Sequence, residues 1–359
     1  MKKRAISHKY TDVLSLDIGA HSIKAVVGKL DKDKLVLDNA FIIPMPEDLY
    51  KDGQFYDGQK VKDILEETLH MNKVRTRAAI CTLESSTIIT REVVLPSAKP
   101  HELKEMVGYE IQQFLPIELD QYIIQYKQLD EFMEGDTKHV NLLVAALPRG
   151  IAESYLNLLE TLHLKPIALD VHSNAITKLI HPQSEVNHGD TVAGKTSAIV
   201  DLGHNQINVS IFDNGNFKFN RLLNIGGKDI DHNLANFLDF SLEEARIKKV
   251  ECSDISKSFG EYNDESRFLN IIKSSVDTWI DEIERIFKYH MTRNTGNRLD
   301  VIYLYGGSAN LNGIAGYMEE AFNIPVKKIK TISSVNTDNI KGNIDLGLYA
   351  NALGAMVRR

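Results

Sequence analysis

Apolar residues in this chain come in short runs broken by glycine turns and in longer stretches spaced three and four apart. The first run, Asp12-Val13-Leu14-Ser15-Leu16-Asp17, ends on a carboxylate; Gly19-Ala20-His21-Ser22 turns the chain, and 23–28 reads as a return strand. Val61, Ile64, Leu65, Thr68 and Leu69 share one face of a predicted helix. A strand-rich stretch over 77–95 closes at Pro96, and a helix from His101 carries Leu103, Met106, Val107, Ile111 and Phe114 to a stop at Pro116. Strands are predicted over 122–129 and 140–146 with 131–136 as the hairpin tip, then a helix over 151–162 and a strand over 166–171. The polar segment 181–195 reads as a connecting loop between two lobes.

Beyond that loop the opening device returns. Ser197-Ala198-Ile199-Val200-Asp201-Leu202-Gly203-His204-Asn205 is again an apolar strand, Asp, apolar residue, Gly and turn; 207–212 is again a return strand, ending on the hairpin signal Asp213-Asn214-Gly215. Asp17 and Asp201 stand 184 residues apart, about half of the 359, which predicts two similar lobes. Gly226-Gly227-Lys228-Asp229-Ile230 opens a helix, and Ile272, Val276, Trp279, Ile280, Ile283 and Phe287 mark a long amphipathic one. A strand over 299–305, a Gly306-Gly307-Ser308 turn, a helix over 314–322 and an alanine-rich helical tail over 346–357 complete the pattern.

Composition narrows the function classes. A hydrophobic fraction of 43% with 25% charged residues is globular rather than disordered. Forty-two basic against 49 acidic residues, net −7, give no general pull toward nucleic acid. No apolar run approaches the roughly 18 residues that cross a bilayer. The basic start, Met1 to Tyr10, has no apolar segment behind it and does not read as a secretory signal. Two distant cysteines, Cys81 and Cys252, point to a reducing cytoplasm and no disulfide framework.

The Asp-Gly turns carry the chemistry. Glycine lets a backbone approach a ligand closely, and the N–H groups of such a turn form an anion-sized nest. A carboxylate beside a phosphate is explained by a Mg²⁺ between them, usually reached through metal-bound water. Ser22 and Lys24 add a hydroxyl and a point charge, and Gly306-Gly307 would let a flat base or sugar lie on the backbone. Each turn alone is also what any β-hairpin shows; the repetition at half-chain spacing favours a shared ligand. Gly189-Asp190-Thr191-Val192-Ala193-Gly194-Lys195-Thr196 matches the P-loop pattern letter for letter, but polar loop precedes it and a β-run follows, so it is expected to be a linker. The twelve histidines show no metal-ligand spacing, and no nucleophile elbow stands out.

Asp17-Ile18-Gly19-Ala20-His21-Ser22-Ile23-Lys24, Asp201-Leu202-Gly203 and Gly306-Gly307-Ser308 resemble the phosphate and adenosine motifs of the actin-like ATPase superfamily. Arg91-Glu92-Val93-Val94-Leu95-Pro96, Glu102-Leu103, Tyr109-Glu110 and Phe114-Leu115-Pro116 resemble the small subdomain that the PilM family of type IV pilus assembly proteins, and more distantly the FtsA family, insert in the first lobe. Pro166 to Val171, Ile225 to Ile230 and Glu282-Ile283-Glu284-Arg285 are similar too, so the likeness spans about 12–358. It implies an α/β, two-lobed, actin-like (duplicated ribonuclease H-like) ATPase fold with a small inserted α+β subdomain. The first lobe would be 1–81 and 165–190, with the C-terminal helix 344–359 packed back on it; the insert would be 82–164 and the second lobe 191–343.

The same resemblance implies bound ATP or ADP with Mg²⁺, held by Asp17, Gly19, Ala20, Ser22, Lys24, Asp201, Gly203, Asn205, Gly226, Gly227, Gly306, Gly307 and Ser308, with Asp17 and Asp201 on the metal side. It implies a cytoplasmic scaffold at the inner face of the membrane that docks the cytosolic tail of a PilN-like protein, with other pilus components or self-association in addition, no nucleic acid and no direct membrane insertion. His21, His204, Asn205 and Gln206 stand where small hydroxyl residues are usual, and Arg246 where the adenosine-side helix usually has glutamate; these departures imply slow or absent hydrolysis. A small-molecule kinase of the superfamily would need an Asp base that the sequence does not single out. An FtsA-like division protein would carry a terminal amphipathic helix, and Leu353 to Arg359 does not read as one. If 189–196 is a linker, Lys195→Ala leaves any ATP-dependent rise in melting temperature unchanged; a large loss would make it the phosphate loop.

Overall fold

The computed structural model describes residues 12–114, 118–257, 263–293 and 298–358. The expected stop at Pro116 and the basic N-terminal residues lie outside them. The first run is strand β1 (Val13–Ile18), whose Leu14 and Leu16 are fully buried. It turns into β2 (Ser22–Asp31) and then β3 (Lys34–Pro44), an antiparallel meander. A short hairpin, β4 (Tyr50–Lys51) and β5 (Gln54–Phe55), leads to α1 (Gly58–Met71), whose N-terminus is capped by Asp57 accepting from Lys60 N at 3.0 Å. Strand β6 (Ala78–Leu83) then lies parallel to β1.

The next segment builds a core of its own. Strands β7 (Ile89–Pro96), β8 (Tyr122–Glu134) and β9 (Thr137–Pro148) form an antiparallel sheet in the order β7-β9-β8, and α2 (Pro100–Phe114) covers one face through Leu103, Val107 and Ile111. The hairpin tip is tighter than the expected 131–136. β8 runs on through Glu134 and the turn is Gly135-Asp136, because Glu131 to Glu134 stay paired with Val140 to Thr137 although their side chains are exposed. An antiparallel ribbon tolerates such an exposed stretch, whose side chains lack the alternation that marks a strand.

Helix α3 (Arg149–Thr161) turns Ile151, Tyr155, Leu158 and Leu159 into the core shared with α1, β1 and β6. Strand β10 (Lys165–Val171) pairs parallel with β6, and α4 (His172–Leu179), a helix absent from the sequence expectations, follows at once. The polar connection holds a two-strand ladder, β11 (Glu185–Val186) and β12 (Asp190–Thr191). The P-loop match thus runs from just before β12 into the first residue of β13 (Thr196–Leu202), and a strand rather than a helix follows it.

Strand β13 opens the second sheet with β14 (Ile207–Asp213) and β15 (Asn216–Leu223). Helices α5 (Gly227–Leu238), α6 (Leu242–Val250) and α7 (Asp264–Arg293), strand β16 (Val301–Tyr305), helix α8 (Ile314–Phe322) and strand β17 (Val326–Lys328) complete that half. Strand β18 (Val335–Asn336) returns to pair with β3, and α9 (Ala350–Met356) packs against α4, β1, β2 and β6. The sheet orders are β3-β2-β1-β6-β10, extended by β18, and β15-β14-β13-β16-β17: one topology used twice.

A continuous core that includes Val26, Leu35, Ile176, Ile199, Phe212, Tyr303 and Leu353 joins the halves through α4 and α9. The two helices pass so closely that a Cβ on Gly354 would lie 2.1 Å from Ala175 O, and buried Ser15 Oγ donates to Ala352 O at 2.7 Å. Among the described residues no helix is long and apolar enough to cross a membrane. Because the contact at Gly354 is with backbone, Gly354→Ala should cost about 2–3 kcal/mol of unfolding free energy in urea titrations. A cost below about 0.5 kcal/mol would show that the α4–α9 contact is looser than described.

Candidate functional site

The duplication brings two copies of one turn face to face. Ile18 pairs with Ile23 across the first turn and Leu202 with Ile207 across the second; Gly19 N donates to Ser22 O at 3.3 Å, and Gly203 N to Gln206 O at 3.1 Å. Both turns line a cleft of about 920 Å³ between the halves, together with the carboxyl ends of β6, β13 and β16. Sheet folds of this kind bind ligands at such strand ends. A Cβ at Gly203 would lie 2.5 Å from Gln206 O, so the second turn needs glycine. Gly306 has φ 90° and a Cβ there would meet Asp201 Oδ1 at 2.2 Å, so glycine is needed there too.

Of the residues expected at the site, Asp17, Gly19, Ala20, Ser22, Lys24, Asp201, Gly203, Asn205, Gly306, Gly307 and Ser308 line this cleft. Gly226 and Gly227 stand behind its wall. Gly227 N donates to Gly203 O at 3.0 Å and Lys228 N to His204 O at 2.9 Å, so the second turn's carbonyls satisfy the N-terminal N–H groups of α5. A Cβ on Gly227 would lie 2.4 Å from Ser308 Oγ, which itself donates to Gly203 O.

At the centre the two aspartates share a histidine that sequence reasoning missed. His172, the first residue of α4, places Nε2 2.8 Å from Asp17 Oδ1 and Nδ1 3.7 Å from Asp201 Oδ2. Asp17 and Asp201 are only 4% and 8% exposed. Burial pushes the imidazole pKa down, but Asp17, Glu84 and Asp201 outweigh it and raise the pKa to about 9, so the ring is cationic at neutral pH. Burial pushes Asp17 upward as well, yet the adjacent His172 and Lys24 hold it below the usual carboxylate range. Asp201, farther from the ring, is raised by burial; Asn351 Nδ2 donates to its Oδ2 at 2.9 Å, and Tyr305 OH donates to Asn351 at 3.1 Å.

Further contacts cross the cleft. The rings of His21 and His204 lie 5.0 Å apart, and burial lowers the pKa of both, that of His204 to about 3, so both are neutral at pH 7. Arg246 pairs with Glu47 of the opposite half, Gln206 Nε2 donates to Asp52 Oδ1 at 3.0 Å, and Asn208 Nδ2 donates to Glu84. Behind Arg246, Lys249 Nζ sits 2.5 Å from the buried Asp231 and donates to Gly227 O at 3.0 Å. The position of Arg246, a departure in the sequence, is therefore a cross-cleft ion pair.

For a metal, the donor set offers the two aspartates with an imidazole already between them. Among the described residues no group of three or more His, Cys, Asp or Glu side chains is placed to hold an ion. That arrangement fits a cation held at a remove, on phosphate oxygens and water, rather than a protein-built coordination sphere.

A family model described as "Type IV pilus assembly protein PilM" matches residues 15–355. Among solved structures, a "PilM-PilN type IV pilus biogenesis complex" superposes with a TM-score of 0.80 at 20% identity, over 96% of this chain and 97% of that one. The ethanolamine utilization protein EutJ from Carboxydothermus hydrogenoformans gives 0.55 at 14% identity, over 98% and 92%. MreB 5 of Spiroplasma citri bound to AMPPNP gives 0.54 at 11%, over 96% and 95%. The fold is the two-lobed actin-like one expected.

Because the folded-state pKa of His172 lies above the ordinary 6.5, its charge stabilises the fold fully below pH 6.5, and this contribution is lost as pH rises through about 9. The stability gap between wild type and His172→Gln, from urea titrations, should be largest near pH 6, on the order of 3 kcal/mol, and close toward pH 10. A gap that does not change with pH would contradict the cationic ring.

Proposed function

The chain belongs to the type IV pilus assembly protein PilM family, and on that premise we propose that it is a nucleotide-binding scaffold of pilus assembly. The observation that carries the nucleotide reading is the pair of equivalent Asp-x-Gly turns facing each other across one cleft, with Gly306 held free of a side chain beside Asp201. Such turns receive phosphate oxygens from two sides, Lys24 supplies a positive charge toward them, and Gly306-Gly307 leaves room for the nucleoside. ATP or ADP is the proposed ligand. Mg²⁺ would arrive on its phosphates with Asp17 and Asp201 reached through water, and would neutralise phosphate charge.

The proposed division keeps two lobes, 1–81 with 165–190 and the C-terminal helix 344–359, and 191–343, and an insert over 82–164 whose last helix, α3, packs into the core of the first lobe. The insert forms one wall of a groove of about 2740 Å³, opposite the second lobe. Strand β8 is an edge of the inserted sheet and β15 an edge of the second sheet, and both line this groove. Their unpaired backbone edges suit an extended peptide. Asn141 Oδ1 and Arg358 Nε, buried in its lining without hydrogen-bond partners among the described residues, supply further unmet acceptor and donor capacity.

The proposed occupant is the cytosolic tail of a PilN-like inner-membrane protein, which would hold the chain at the cytoplasmic face of the membrane. The structure matched with a TM-score of 0.80 is of a PilM-PilN complex, which supports this partner. Two binding measurements test the two sites separately. By calorimetry with Mg²⁺ present, Asp201→Ala should weaken ATP at least about 10-fold, since it removes a carboxylate that would hold the phosphate-bound Mg²⁺ through water. Lys218 and Arg221 stand on β15 in the groove lining and outside the cleft, so Lys218→Glu with Arg221→Glu should weaken a PilN-like tail peptide by a similar factor and leave ATP binding alone. A wild-type chain that binds no nucleotide would remove the cleft reading, and a tail that binds the double variant as tightly as wild type would move the peptide elsewhere.

A further inference from the structure

The duplicated topology allows a position-by-position comparison of the two halves at the cleft. β6 meets β1 at Asp17↔Thr82, and β16 meets β13 at Asp201↔Tyr305. Two residues beyond each pairing, just past the strand ends, stand Glu84 and Gly307. In the second half that position has no side chain; in the first half it puts a carboxylate into the lining of the same cleft.

Unlike most of the carboxylates there, Glu84 has no hydrogen bond from a cationic side chain among the described residues. Asp17 and Asp201 are committed to His172, Asp231 to Lys249 and Glu47 to Arg246, while Asp52 accepts from Ser86 and Gln206. Among the described residues, the hydrogen bonds to Glu84 come from two neutral N–H donors. Ser85 N reaches Oε1 at 3.2 Å, and Asn208 Nδ2 from the opposite half reaches Oε2. Asn220 Nδ2 donates to Asn208 Oδ1, which fixes the amide so that its own N–H₂ faces Glu84. The charged and titratable groups around it are His172 on α4, Asp201 on β13, Tyr50 on β4 and Tyr305 on β16. Burial raises the Glu84 pKa to about 7, which is where a group that takes up and releases a proton at neutral pH should lie.

We propose that Glu84 is the proton acceptor for the water that attacks the terminal phosphate of a nucleoside triphosphate bound in this cleft. The inference rests on the nucleotide reading of the site. The water oxygen forms a bond to the terminal phosphorus as the bond from that phosphorus to the bridging oxygen breaks. The bridging oxygen keeps the electron pair and leaves on the diphosphate, and the water's proton passes to the Glu84 carboxylate and from there to solvent. Glutamine at this position keeps the shape and the hydrogen bond to Asn208 but cannot accept the proton.

The test compares the full chain with Glu84→Gln and Glu84→Asp, reading ATP affinity by calorimetry, hydrolysis by single-turnover phosphate release, and melting temperature as the check on folding. Glu84→Gln should bind ATP within about 3-fold of wild type and hydrolyse it about 100-fold more slowly. Glu84→Asp should retain part of the rate. The wild-type rate should rise with pH through about 7 and the glutamine variant should lose that rise. A Glu84→Gln rate within about 3-fold of wild type overturns the proposal, as does a wild type that binds ATP and releases no phosphate. Should Glu84→Gln fail to fold, Asn208→Ala replaces it, and an unchanged pH profile there overturns the proposal equally. Failure of wild type to bind ATP at all is the separate outcome that takes the site reading down with it.

Discussion

One buried array decides how the two halves meet: an imidazolium between two carboxylates contributed by different lobes. Taking a carboxylate out of water costs several kcal/mol, and Asp17 and Asp201, both almost wholly buried, would repel each other as well. His172 offsets both costs at once, and only in the closed arrangement, because Asp17 lies on one sheet, Asp201 on the other and the ring on the helix that starts where β10 ends. Asn351 ties α9 to the same array through Asp201. The helices that join the halves are thus the ones that carry the neutralising groups. Removing any member would leave a buried charge without its partner.

Around that centre the molecule reads as one unit used twice and then specialised. The turn geometry is conserved between halves: the same four-residue closure, the same strand pairing, the same aspartate at the last but one position of the strand. The differences fall where a ligand would be handled. Lys24 in the first half corresponds to Asn208 in the second, each pairing with its aspartate, and Glu84 corresponds to Gly307. One half therefore brings charge and proton-accepting capacity, while the other brings open backbone and an orienting amide. Cross-cleft contacts at Arg246–Glu47 and His21–His204 add further links between the halves.

Much of this was legible in the sequence wherever a local rule decides the structure. The β1 and β13 turns were readable because apolar alternation and glycine act within a few residues, and α8 follows the predicted 314–322 because its spacing and its flanking glycine agree. The end of the hairpin at Gly135 was misjudged because Glu131-Phe132-Met133-Glu134 does not alternate apolar and polar residues, and only pairing with β9 makes it strand. Helix α4 was missed although Ala175, Ile176 and Leu179 have helical spacing, because eight residues hold only about two turns of the pattern. His172 could not be singled out among twelve histidines, since the aspartate it bonds lies 155 residues away. The Arg246–Glu47 pair spans 199 residues and is equally unreadable, although the unusual arginine was itself visible.

The most direct measurement is of the protonation state of the His172 ring. Nitrogen-15 chemical shifts of the imidazole, followed by NMR from pH 5 to pH 10 in the full-length chain, report both nitrogens separately. The account predicts a ring protonated on both nitrogens at pH 7 that titrates near 9. A ring that is neutral at pH 7, or that titrates near the ordinary 6.5, would contradict it, because the two halves would then close over uncompensated carboxylates.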